Sequence, residues 1–162
     1  MDAIPDRRWA NIVGRMTPGG VEMMSFARLA DLAAEWEDIV PPQSAELDGP
    51  PRLLRMARSL FAHSWFDYEF MTVACLLGFQ AMEASFRALY PDPDGRPLRK
   101  LVNQAEQDAI LPVNIAELAR SGVELRNLYS HPRTQSVLTV GMAAPMLENT
   151  HRLVALVLSA VR

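Results

Sequence analysis

The chain has 162 residues, 49% hydrophobic and 22% charged, which is enough apolar material for one packed domain and too much for a disordered chain. Its formal charge of −3 supplies no overall positive field to concentrate nucleic acid, so any such contact must be local. A single cysteine, Cys75, excludes an intramolecular disulfide and a cysteine-built zinc cluster, and it fits a reducing cytoplasm.

Met1–Gly20 carries Asp2 and Asp6 and lacks a continuous apolar run, so no secretory signal is expected there. The stretch VEMMSFARLADLAAEWEDIV, residues 21–40, places Met23, Phe26, Leu29 or Ala30, Ala33 and Trp36 at helical spacing and predicts an amphipathic helix. Pro41–Pro51 follows, with four prolines and a glycine; a linker or exposed loop is expected, with a sub-boundary near residue 50. Residues 1–50 are thus read as a helical extension and 51–162 as the main bundle.

Arg52–Tyr90 contains no proline and only Gly78, and it predicts one long helix or two, with a break around His63–Asp67. Its apolar centre, Phe70–Phe79, is too short to span a membrane and is flanked by Asp67, Glu69 and Glu83. Being apolar on nearly every side, it is expected to be covered by several helices or by a second subunit, with Cys75 as a buried small hydrophobe. PDPDGRP, residues 91–97, has the composition of a turn, and Leu98–Ala109 predicts a short helix buried through Leu98, Leu101, Val102 and Ala105.

Asn114 with Glu117, and Ser121 with Glu124, have capping-box spacing, so a helix is expected from Ile115 with an interruption at Ser121–Gly122. Pro132 disfavours helical geometry at His131, making His131 the expected last residue of that helix. A closing helix is expected from Pro145, with Met146, Thr150, Leu153 or Val154, Val157 and Val161 on one stripe. The longest alternating segment is Ser136–Val140, so the fold is expected to be all-α: an antiparallel bundle of four or five helices with an extra N-terminal helix.

The three histidines, His63, His131 and His151, show no metal-ligand spacing, and no metal or other cofactor is expected. Gly19–Gly20 lacks the lysine of a phosphate loop, and no serine occupies a nucleophile elbow. Arg52, Arg55 and Arg58 lie loosely on one side of a helix, where a solvated face is the simpler reading and contact with phosphates the functional one. Arg126 and His131 are separated by four residues, but Arg58 and His63 have the same spacing. The first pair is distinguished by Asn127, which shares a helical face with His131, and by the helix end at Pro132, whose dipole favours a protonated ring.

ELRNLYSHP, together with LLGFQAMEASFRALY upstream, resembles the HEPN superfamily, an all-helical group in which an arginine, a polar residue and a histidine near a helix end form a ribonuclease motif. The resemblance covers about residues 52–162. It implies metal-independent cleavage of RNA by Arg126, Asn127 and His131, with Glu83 and Arg87 at positions that support the motif arginine and Tyr129 in a supporting place. Arg133, Arg52 and Arg55 are the candidate RNA contacts. It also implies a homodimer with two motifs lining one cleft, a cytoplasmic role as a toxin or phage-defence effector, and an antitoxin or nucleotidyltransferase-type partner. The alternative is a non-catalytic interaction or RNA/nucleotide-binding module in which Arg126 pairs with Glu83 or Glu124.

Overall fold

Six amphipathic segments find one another through their apolar faces in the computed structural model, which describes residues 4–11, 15–22, 24–91, 95–130 and 138–161. The helices are α1 (Phe26–Ala34), α2 (Gly49–His63), α3 (Glu69–Leu89), α4 (Leu98–Gln107), α5 (Val113–Tyr129) and α6 (Val140–Ser159). The only sheet among the described residues is a hairpin of β1 (Arg15–Thr17) and β2 (Gly20–Glu22), paired antiparallel with Met16 opposite Val21. Gly20 has φ +118 there, a conformation that glycine adopts without strain. The fold is all-α apart from this hairpin.

Helix α1 is shorter than the apolar periodicity predicts, because Val21 and Glu22 belong to β2 and the Ser25 hydroxyl accepts the Arg28 amide N–H at 3.1 Å, capping a start at Phe26. Leu29, Leu32, Ala33 and Trp36 are buried. Residues 41–48 form the expected loop, but Pro50 and Pro51 belong to α2. Their missing N–H groups fall in the first turn, where no helical partner exists, so the prolines start the helix.

The expected break near residues 63–67 is present. Ser64, fully buried, returns its hydroxyl to the Phe61 carbonyl at 2.7 Å, and Asp67 accepts the Glu69 amide N–H at 3.0 Å to begin α3. The N-terminal segment is tied to this turn: the Trp9 indole donates to the Ser64 carbonyl at 2.8 Å, and Asp6 accepts the Tyr68 amide at 3.0 Å. Tyr68 in turn donates its hydroxyl to the Leu138 carbonyl, fixing the approach to α6.

Helix α3 is the central element, packed by α2, α6, α5 and α4, and it buries Met71, Ala74, Cys75, Phe79, Met82 and Phe86. The cover expected for Phe70–Phe79 therefore comes in large part from within the chain. Helix α5 runs without the interruption expected at Ser121–Gly122. Ser121 bonds back to the Glu117 carbonyl at 3.1 Å, and Gly122 faces Met82 of α3, whose sulfur would lie 3.4 Å from an added Cβ. Helix α5 begins at Val113 and ends at Tyr129; His131 lies outside the described residues.

Helix α6 starts at Val140, five residues before the predicted point, and absorbs Pro145 at the loss of one backbone hydrogen bond. It buries Leu147, Thr150, His151, Leu153, Val154 and Val157. Among the described residues no helix is long and apolar enough to cross a membrane.

Candidate functional site

Glu83 and Arg87 stand one turn apart on α3, a spacing that places both on one face of the helix. Glu83 Oε1 accepts Arg87 Nε at 3.0 Å and Nη2 at 2.6 Å. Its second oxygen, Oε2, meets Arg126 Nη2 of α5 at 2.6 Å. One carboxylate thus holds two guanidinium groups from different helices. Glu83 is the most enclosed of the three, at 17% side-chain exposure against 39% for Arg87 and 35% for Arg126. Arg126 Nη1 also lies 3.5 Å from the Asn127 side-chain oxygen, a weak contact.

These four residues line an open cleft of about 430 Å³, with the N-terminal end of α4 on its other side. Arg96 and Arg99 join Arg87 and Arg126 there, against Glu83 and Glu124, so four positive charges face two negative ones. Arg99 is 3.5 Å from Glu124, both well exposed, and Arg96 donates to Gln104 at 2.7 Å. A chain that is acidic overall therefore carries a local cationic concavity, the arrangement that recognises phosphate.

The structure brings Arg126, Asn127, Glu83 and Arg87 together. Tyr129, by contrast, is buried, and its burial raises the phenol above its ordinary value; it holds the end of α5 in the core and does not line the cleft. His131 and Arg133 lie outside the described residues. Arg52 is exposed on α2, and Arg55 pairs with Asp48 at 3.3 Å on a different cleft, so neither joins the Arg126 site.

The second arginine–histidine pair does not form a site. Arg58 Nη1 turns to His151 Nε2 of α6 at 3.4 Å, whereas His63 is exposed beside Phe26 and Phe66. Five positions along α2 turn Arg58 and His63 toward different neighbours, so these two side chains do not meet. Arg96 and Arg99 belong to no motif that marks them in the sequence; the only signal is their place on either side of Pro97 where α4 begins.

Among the described residues no group of three or more histidine, cysteine, aspartate or glutamate side chains is placed to hold a metal ion. Compared with protein-family models, with curated proteins and with solved structures, the chain matches none. Its function is therefore read from the site itself.

Proposed function

We propose that the chain is a metal-independent endoribonuclease of HEPN type, acting at the cleft around Arg126. The observation that carries this reading is the Glu83 carboxylate holding Arg126 and Arg87 in a concavity with an excess of arginine. A fixed guanidinium is a preorganised partner for a phosphate whose negative charge rises as it is attacked. His131, two positions beyond the end of α5 in the sequence, supplies the proton-transfer group. In the proposed reaction the ribose 2′-oxygen attacks phosphorus, its proton passes to a base, and the 5′-oxygen leaves with a proton. The products are a 2′,3′-cyclic phosphate and a free 5′-hydroxyl.

A single histidine performs one of the two proton transfers. A homodimer with two motifs on one cleft supplies the second and is part of the proposal. So is the cellular setting, a cytoplasmic toxin or phage-defence effector restrained by an antitoxin or nucleotidyltransferase-type partner.

One observation favours a second reading, a non-catalytic RNA- or nucleotide-binding or interaction module. Arg126 is already engaged by Glu83 and Asn127, as a purely structural ion pair would be. Incubating purified protein with labelled single-stranded RNA in chelator separates the two. The ribonuclease reading expects cyclic-phosphate ends and a loss of about a hundredfold in His131→Ala and Arg126→Ala. Cleavage by His131→Ala at the parent rate rejects it, and binding without cleavage selects the module.

A further inference from the structure

A second open concavity lies away from Arg126, between the segment after α1 and the outer side of α2, with a volume of about 480 Å³. Arg58 forms part of its wall. Among the described residues no carboxylate lies within ion-pair distance of Arg58, although burial disfavours its charge and half-buried guanidinium groups are ordinarily paired. Its side-chain partner is a neutral ring. His151 is fully buried, donates Nδ1–H to the Leu147 carbonyl at 2.7 Å, and so presents the Nε2 lone pair to Arg58 Nη1 at 3.4 Å.

Glu37 and Asp38 line the same cleft. They act on Arg58 through space, yet neither reaches it, and neither has an ion-pair partner among the described residues. Opposite charges thus share one concavity without forming an ion pair. Arg55 and Asp48, which also line the cleft, neutralise one another at 3.3 Å. Val40 and Pro41 add apolar wall.

From this arrangement of unpaired charges we infer that the cleft binds a small zwitterion of the α-amino-acid class, its carboxylate on Arg58, its ammonium on Glu37 and Asp38, and an aliphatic side chain against Val40 and Pro41. A phosphate dianion suits Arg58 but is opposed by the two carboxylates; a simple cation is opposed by Arg58. A ligand carrying both charges satisfies both walls, and the volume is that of an ordinary small-molecule site. The inference is independent of the ribonuclease reading.

The test is calorimetric titration of the full chain with L-leucine, leucinamide and N-acetyl-leucine, the last two each lacking one charge. Leucine is expected to bind, and each analogue to bind about tenfold or more weakly, the scale of a lost charge-assisted contact. Arg58→Gln and the Glu37→Gln/Asp38→Asn double variant are expected to lose leucine to a similar degree while keeping the helical circular-dichroism spectrum. The surface double variant and the analogue series decide the matter if Arg58→Gln fails to fold. Leucine binding that ignores both charges, binding of inorganic phosphate in place of leucine, or binding of none of these probes overturns the inference.

Discussion

Glu83 receives Arg126 on one carboxylate oxygen and Arg87 on the other, each at 2.6 Å, so a single residue of α3 sets the position of the α5 arginine. Removing the carboxylate leaves two guanidinium groups side by side with no counter-charge. Glu83→Ala is therefore expected to lower stability by about 1–2 kcal/mol, a figure reduced for the partial exposure of both arginines. Arg126→Ala should cost less, because Arg87 still satisfies Glu83. Urea unfolding of both variants and of the double variant measures the coupling; additive losses would show that the pair does not interact.

His151 titrates far from the ordinary range. Burial lowers its pKa from 6.5 to about 4, with the Leu147 bond working in the opposite direction. The unfolded chain therefore takes up this proton before the folded one does. Its contribution to stability is complete above pH 6.5 and is lost as pH falls toward 4, on the order of 2–3 kcal/mol. Stability measured across that window should fall in the parent and flatten in His151→Leu. A His151 ring resonance that titrates at its ordinary value would contradict the burial seen here.

Two helical glycines should respond to alanine in opposite ways. At Gly122 an added Cβ lies 3.4 Å from the Met82 sulfur, an ordinary contact to a flexible side chain. The gain in helix propensity then raises stability by up to about 1 kcal/mol. At Gly78 the Cβ lies 3.2 Å from the Leu147 side chain and 3.5 Å from Thr150, so α3 and α6 must part slightly and the gain is cancelled or reversed. Thermal unfolding ranks the two variants; Gly78→Ala emerging as the more stable would refute the close α3–α6 approach.

Cys75 should be chemically silent in the folded protein. It is 2% exposed, and burial pushes its thiol up to about 12, which keeps the reactive thiolate scarce at neutral pH. A thiol-reactive dye is expected to label it only as fast as the chain unfolds, with full labelling in denaturant. Rapid labelling under native conditions would place Cys75 at the surface.

Much of the helical order is legible in the residues alone, since helical periodicity and proline are local signals. The buried stripe of α4 is the predicted one, and the α2–α3 break falls where it was expected. The shared face of Glu83 and Arg87 follows from a spacing of four. Local signals mislead where a neighbour decides. Ser121–Gly122 has the look of an interruption, but Gly122 packs against Met82 and Phe79 of α3, and α5 continues. Pro50 and Pro51 suggest loop, but they occupy the turn of α2 that needs no N–H partners.

The sequence by itself determined the all-helical class and the approximate limits of most helices, because each rests on residues within a few turns of one another. Only the tertiary structure decided that Glu83 of α3 holds Arg126 of α5, that Trp9 belongs to the core, and that Arg58 turns to a histidine 93 positions away. Such contacts depend on the relative rotation and separation of packed helices. Those are set by the fit of many side chains at once, and no short stretch of chain contains that information.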